Sequence, residues 1–261
     1  MNDSSSYKTV CASKSIFNDQ NTSCVGLIHS LTEGSLQTFV FLWSPMLQSL
    51  STTSLPSVLG LDINGDPAYG LIFGAFMLFG VAGGFIEPVL MRTIIKIRLS
   101  ILPNNLPKGN IPVLDTEEKR DIQSVYILTA GCYLCSSILF LIPCMIDEQS
   151  PYAFIIVLVS FLLYEFFVGA FRSLEGILRT VHIPNESKCS IMSIFRLMTN
   201  ISVAFGVVLT NYISIVYCFG VLSFMMITAT VLQISFILQP RKFAVGLGLS
   251  QESIGTKNKN K

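Results

Sequence analysis

Six long apolar stretches, separated by polar segments, dominate the chain. They are Val25–Leu47, Ala68–Met91, Ile122–Ile146, Tyr152–Leu178, Ser187–Thr210 and Tyr212–Leu238. A bilayer core about 30 Å thick needs about 20 apolar residues per helix, and each stretch meets that length. Because a helix satisfies its own backbone hydrogen bonds, helices are the expected spanning elements. The pattern predicts an all-α polytopic membrane protein with six transmembrane helices.

Composition distinguishes this reading from a large soluble protein with buried core helices. The chain is 51% hydrophobic and 13% charged, and its mean hydropathy is +0.61. A soluble domain carries about 25% charged residues. The low charge content therefore favours the membrane protein.

Polar segments flank the apolar region. We predict that residues 1–24 form a polar cytoplasmic lead-in and that residues 25–238 form the transmembrane domain. Residues 239–261 are rich in Gly, Ser and Lys, so we expect a disordered cytoplasmic tail. Residues 92–121 mix bases with acids and are predicted to form the longest cytoplasmic loop.

The basic residues are segregated to one side of the predicted helices. One alternating set of connectors (48–67, 147–151 and Asn211) holds four acids and no base. The other connectors and the termini, with Lys188 at the start of the fifth stretch, hold 15 of the 17 bases. Cytoplasmic loops carry the excess of Lys and Arg. We therefore expect both termini in the cytoplasm. We also expect the plasma membrane as the location, which does not follow from the distribution of bases.

Residues that usually carry catalysis or metal binding form no recognisable motif. Cys132 and Cys135 form a CxxC inside an apolar stretch, where the spacing indicates one helix face rather than a redox site. His29 and His182 stand alone in the sequence, and an isolated histidine is more often structural than a ligand. We expect no enzyme activity, no metal or cofactor, and no nucleic-acid partner.

Charged residues inside the apolar stretches are the candidate functional residues, because they are costly in a membrane. The candidates, with polar residues on the same helix faces, are Glu33 and Gln37 in the first stretch, Glu165 and Arg172 in the fourth, and Arg196 and Asn200 in the fifth. Helical periodicity places each pair on one face, so the three faces could form one central site. The third and sixth stretches carry no charge and are predicted to be peripheral.

Several local features allow more than one interpretation. Glu33–Arg196 or Glu165–Arg172 salt bridges could lock helices or gate the cytoplasmic side. Glu175 and Arg179 are expected to snorkel at the membrane edge. The first helix is expected to end near Trp43–Pro45 and the second at Glu87–Pro88, where proline interrupts helical hydrogen bonding. The GxxxG pairs Gly70/Gly74 and Gly80/Gly84 predict close helix packing.

Three phrases resemble the C-terminal half of the molybdate-anion transporters, a branch of the major facilitator superfamily. They are LTEGSLQTFVFLWSP at 31–45, GLIFGAFM at 70–77, and IPNES with IMSIFRLMTN within 183–200. The resemblance runs from Gly26 to Leu238. It implies that the six helices correspond to the last six of a twelve-helix transporter. The expected partner is therefore the missing N-terminal six-helix half or a second copy, within the lipid bilayer.

The resemblance implies a half of a secondary transporter that moves an inorganic oxyanion, with molybdate as the first choice, by alternating access. A dianion in a low-dielectric cavity needs positive charge, and arginine offers a fork of donors to oxyanion oxygens. Arg196 is the first candidate for this contact and Arg172 the second, with Glu33 or Glu165 as the proton-coupling or gating acid. The alternative is a truncated, non-transporting membrane protein that acts as partner or regulator of a full-length transporter.

The chain matches the family pattern at some positions and departs from it at others. The matching residues are Glu33, Trp43, Pro45, Arg179, Pro184, Arg196 and Asn200. Arg172–Ser173 stand where the family usually has an aromatic–proline pair, and Met198 stands where it tends to have proline. The resemblance therefore gives Arg172 no family role.

Overall fold

A computed structural model describes residues 20–53, 67–101, 113–147, 149–183 and 188–238. They form the helices α1 (Gln20–Thr53), α2 (Tyr69–Ile101), α3 (Val113–Met145), α4 (Ala153–His182), α5 (Lys188–Leu209) and α6 (Ile215–Leu238). The all-α prediction is confirmed. The five helices α2 to α6 are long and apolar enough to cross a membrane. The helix α1 has the length, at 34 residues, but its hydroxyl, amide and carboxylate side chains lower its hydropathy. The protein is a multi-pass helical membrane protein.

The first helix continues well past its predicted end. It contains Pro45 and extends to Thr53. Met46, Leu47 and Leu50, which follow the proline, are almost fully buried. Packing of this last segment against the bundle therefore offsets the backbone hydrogen bond that proline removes.

The predicted loop 92–121 is largely helical. The helix α2 passes through Pro88, its predicted end, and reaches Ile101, while α3 already begins at Val113. These extensions carry charged residues. A hydropathy pattern marks only the apolar part of a helix, so it does not include them. The remainder of this connector, the predicted lead-in as far as residue 19 and the predicted tail 239–261 lie outside the described residues.

The helix contacts have an internal symmetry. The helices α1 and α4 pack together at the centre, with α5 against α1 and α2 against α4. The helices α3 and α6 pack on each other, and also on α4 and α1 respectively. Exchanging the first three helices with the last three leaves this main pattern unchanged. Because three successive spans reverse direction, the pattern is that of two inverted three-helix repeats.

An aromatic cluster fills one half of the bundle. Phe39 of α1 is fully buried, and its ring centroid lies 5.1 Å from Phe161 and 4.9 Å from Tyr164, both on α4. Phe140 of α3 lies 4.2 Å from Tyr164 with the rings tilted, and Phe219 of α6 stacks on Phe161 at 5.2 Å. Edge-to-face and offset pairs of this kind add to the free energy gained by burying the rings. The cluster joins α1, α3, α4 and α6 in one packed core.

The helices α2 and α4 approach closely through glycines. A Cβ on Gly83 would overlap the carbonyl oxygen of Phe166, and a Cβ on Gly169 would overlap that of Gly80. The Gly80/Gly84 pair thus lies in a close helix contact, as the sequence predicts. The Gly70/Gly74 pair does not, because a Cβ at either position would meet nothing within 4 Å.

The prediction that the third and sixth helices are peripheral is only partly right. Within their apolar windows, 61% of α3 and 44% of α6 are buried, against 17% of α2 and 22% of α5. The two helices bury polar side chains against each other, including Ser137 and Ser223, whose hydroxyl oxygens lie 3.1 Å apart. The absence of charge from their apolar stretches reveals neither this contact nor the hydrogen bond that Tyr133 of α3 donates to the Glu175 carboxylate.

Candidate functional site

A polar cavity of about 510 Å³ lies between α1, α4 and α5. It occupies the half of the bundle where α1 and α5 begin and α4 ends, opposite the aromatic cluster. Its lining residues are His29, Glu33, Gln37 and Phe41 of α1, Arg172, Glu175 and Arg179 of α4, and Met192, Arg196, Thr199, Asn200 and Val203 of α5. The structure therefore brings together five of the six candidate residues, Glu33, Gln37, Arg172, Arg196 and Asn200.

Glu33 is paired with Arg172 rather than with Arg196. Arg172 Nη2 lies 3.1 and 3.2 Å from the two carboxylate oxygens of Glu33. Gln37, one turn further along α1, donates a hydrogen bond to Glu33 Oε1 at 3.3 Å. Both salt bridges considered from the sequence, Glu33–Arg196 and Glu165–Arg172, are therefore wrong. Helical periodicity gives the face of each helix but not the depth at which two faces meet.

Arg196 and Arg179 line the cavity without an acidic partner among the described residues. Neither guanidinium makes an ion pair or a hydrogen bond within that part of the chain. Arg196 and Asn200 are exposed, one turn apart on α5, and both face the cavity. The two arginines give the site positive charge that the nearby carboxylates neutralise only in part.

Glu175 is the centre of a buried hydrogen-bond network. Its Oε1 accepts hydrogen bonds from Tyr133 at 2.7 Å and Thr32 at 2.8 Å, and its Oε2 lies 3.2 Å from His29 Nδ1. The residue is only 6% exposed, so the expectation that it snorkels to the membrane edge is wrong. Its partners come from α1 and α3, and they hold the carboxylate between the helices rather than at a lipid boundary.

Glu165 lies outside the cavity. It is buried, and its Oε2 faces Gly80 across the contact between α2 and α4. Another carboxylate, Glu87 of α2, is buried along the same pair of helices and accepts a hydrogen bond from Ser173 of α4 at 3.3 Å. Glu165 shares a helix face with Arg172, but α2 covers that face at the level of Glu165.

The sequence contained a signal for the residues that were missed. His29 precedes Glu33 by one helical turn, and Arg172, Glu175 and Arg179 follow the i, i+3, i+7 spacing of one face. The two histidines are not isolated in the fold, because His29 contacts Glu175 and His182 Nε2 hydrogen-bonds the Tyr126 hydroxyl. Reading both faces along their full length would have placed His29, Glu175 and Arg179 in the site.

The arrangement is suited to holding an anion. Three arginines and two carboxylates line the cavity, which leaves a formal charge of +1 when His29 is neutral. Arginine presents several N–H donors in a plane and binds oxyanion oxygens well. Among the described residues no group of three or more His, Cys, Asp or Glu side chains could hold a metal ion.

The fold and this cavity define a helical integral membrane protein with a charged central site. Residues 3–99, which are 97 of the 261 residues, match a family model described as sugar transporters with 12 transmembrane segments. The match supports a transporter of the major facilitator type. It includes the phrases of the resemblance at 31–45 and 70–77 but not the phrase in 183–200. Comparison with curated proteins found no match, and comparison with solved structures found none.

Proposed function

We propose that this protein is one half of a secondary transporter of the major facilitator type and that it moves an inorganic oxyanion, with molybdate as the first choice. The supporting observation is the arginine-rich wall of the cavity. Arg179 and Arg196 have no acidic partner among the described residues, while Glu33 and Glu175 are engaged by Arg172 and His29. A tetrahedral oxyanion supplies the missing negative charge and accepts hydrogen bonds from both guanidinium groups.

The charge of the lining favours an anion over a sugar. The matching family model is described by sugar transport, and a sugar is neutral. Uncompensated charges in a site of low dielectric are unfavourable, and a neutral ligand would leave them uncompensated. An oxyanion removes that cost, and a sugar therefore fits this half of the cavity less well.

The cavity is open along one side, and this supports the need for a second six-helix unit. The side chain of Arg172 is 54% exposed, and Gln37, Arg196 and Asn200 are also exposed. Charged groups at membrane depth face protein or water rather than lipid. We infer that an N-terminal six-helix half or a second copy covers this wall, and that the two halves rock about the site to give alternating access. We place both termini in the cytoplasm and the protein in the plasma membrane.

Uptake measurements test the proposal. Cells expressing a twelve-helix transporter that contains this half should accumulate molybdate, and glucose should not compete. Arg196→Lys keeps the charge but loses the planar fork, so the KM for molybdate should rise about tenfold, which corresponds to about 1.4 kcal/mol. The matched control is Arg92→Lys, at an exposed position on α2, which should leave uptake unchanged.

Three outcomes would change the proposal. An unchanged KM in Arg196→Lys would remove this arginine from the anion site, and competition by glucose would favour a neutral cargo. If the chain alone does not take up molybdate but alters uptake by a co-expressed full-length transporter, the regulatory partner becomes the better account.

A further inference from the structure

The charged groups around the cavity do not by themselves balance a divalent oxyanion. The three arginines and two carboxylates of the lining leave a formal charge of +1. A bound dianion would therefore bring the site to −1. Net charge in a low-dielectric site is unfavourable, so one further positive charge would stabilise the complex.

His29 and Glu175 are placed to hold a proton beside this cavity. Both residues line it, and His29 Nδ1 lies 3.2 Å from Glu175 Oε2. Tyr133 and Thr32 already donate hydrogen bonds to Oε1 of the same carboxylate. The geometry leaves Oε2 to accept a hydrogen bond from the imidazole N–H. Histidine is the side chain that ordinarily gains and loses a proton near physiological pH.

We propose that the His29–Glu175 pair binds one proton together with each divalent oxyanion, so that the loaded cavity is electrically neutral. The inference rests on the proposed anion-transport function and deepens it. It assigns the coupling role to this pair rather than to Glu33, which is paired with Arg172, or to Glu165, which lies outside the cavity. The proton comes from solvent through the open cavity, forms an N–H bond on the imidazole, and returns to solvent after the anion leaves.

The surroundings of the pair set the sign of the coupling. The charged and titratable groups around it are Glu33 on α1, Tyr133 on α3, Arg172 and Arg179 on α4, and Arg196 on α5. In the empty cavity the arginines without an acidic partner oppose a further positive charge. A bound dianion offsets them, so the anion favours the proton and, by reciprocity, the proton favours the anion.

Calorimetric titration in lipid nanodiscs, on a twelve-helix transporter that contains this half, tests this inference with molybdate as the probe. Titrations between pH 6 and 8, in buffers that differ in ionisation enthalpy, count the protons taken up per anion. We expect about one proton per molybdate, and therefore up to about a tenfold weaker affinity for each unit rise in pH. Perchlorate, a tetrahedral monoanion, should bind with little proton uptake.

Two isosteric variants should have opposite effects on affinity. Glu175→Gln keeps an oxygen that accepts the hydrogen bonds of Tyr133 and Thr32, and it raises the formal charge of the lining to +2. This variant should therefore bind molybdate at pH 8 as tightly as the unmodified chain binds it at pH 6. His29→Gln removes the basic group, so binding should stay weak at both pH values. Both variants should bind molybdate without proton uptake. The matched control His182→Gln, at a histidine outside the cavity lining, should keep the pH dependence.

The outcomes separate this inference from the function on which it rests. Molybdate binding without proton uptake in the unmodified chain would overturn the inference and leave anion transport in place. Proton uptake that persists in both variants would also overturn it. No molybdate binding at any pH would overturn the proposed function and the inference together.

Discussion

Arg172 on α4 holds the carboxylate of Glu33 on α1 across the open cavity, with Nη2 3.1 and 3.2 Å from the two oxygens. The contact connects the two central helices at the site where an anion is expected to bind. Because more than half of the arginine side chain is exposed, water screens the pair, and its contribution to folding stability is small. Under the proposed function, the carboxylate competes with the anion for the guanidinium group.

Removing this competitor should strengthen anion binding. In Glu33→Gln, Arg172 is released and the lining gains one positive charge, so the Kd for molybdate should fall severalfold. The free energy of unfolding should change by less than about 1 kcal/mol, as for other exposed ion pairs. Calorimetric titration and thermal unfolding in detergent measure the two effects.

The control for this variant makes the same carboxylate-to-amide change outside the cavity. Glu165 is buried between α2 and α4, so Glu165→Gln should leave the Kd close to its original value. Weaker molybdate binding in Glu33→Gln would contradict the prediction and would indicate that this carboxylate, or the position of Arg172 that it fixes, takes part in binding.

The contact between α2 and α4 should not tolerate a methyl group at Gly169. Gly169→Ala would place a Cβ against the Gly80 carbonyl oxygen, so the helices must separate. Overpacking of this kind destabilises by about 1–3 kcal/mol. The matched variant Gly74→Ala, which meets nothing within 4 Å, should be neutral or slightly stabilising. Equal unfolding temperatures for the two variants would argue against the close glycine contact.

Helical periodicity predicted which residues line the cavity better than it predicted which of them form ion pairs. The faces that contain Glu33 with Gln37 and Arg196 with Asn200 do line one cavity. The partner of Glu33 could not be read from the sequence, because it depends on how α1 and α4 are rotated and displaced relative to each other. Glu165 was misplaced for the same reason, since its face of α4 is covered by α2.

The burial of Glu175 could not be inferred from its distance to the predicted membrane edge. Glu175 lies near the end of the apolar stretch, which suggested an exposed carboxylate. The helix α4 continues to His182, and Tyr133 of α3 closes over this position. Similarly, Pro45 suggested a helix end, but buried residues beyond it hold α1 together. Tertiary contacts decide both cases, and the sequence pattern does not contain them.

Cysteine labelling should establish the orientation that the base distribution predicts. In a chain whose seven native cysteines are replaced by serine, Ser57→Cys and Gln149→Cys should react with an impermeant maleimide in intact cells. Asn110→Cys and Ser250→Cys should react only after the membrane is opened, because cytoplasmic loops carry the excess of Lys and Arg. Labelling of Asn110→Cys in intact cells would reverse the orientation.

Two buried tyrosines with different surroundings offer a matched test of the Glu175 network. Both Tyr133 and Tyr164 are fully buried, but only the Tyr133 hydroxyl donates to a carboxylate, Glu175 Oε1, at 2.7 Å. The Tyr164 hydroxyl has the Ser35 side chain nearby but makes no hydrogen bond of good geometry among the described residues. Removing a hydrogen bond to a charged group costs about 1.5–3 kcal/mol, whereas removing a buried hydroxyl that has no partner is neutral or stabilising.

Tyr133→Phe should therefore lower the free energy of unfolding by about 1.5 kcal/mol, near the lower limit because Thr32 still donates to the same oxygen. Tyr164→Phe should leave the free energy unchanged or raise it slightly, although it removes the same atom. Unfolding of both variants in detergent, followed by circular dichroism, measures the difference. If Tyr164→Phe proves as destabilising as Tyr133→Phe, the Tyr133–Glu175 hydrogen bond does not stabilise the fold. That result would contradict the hydrogen-bond network described around Glu175.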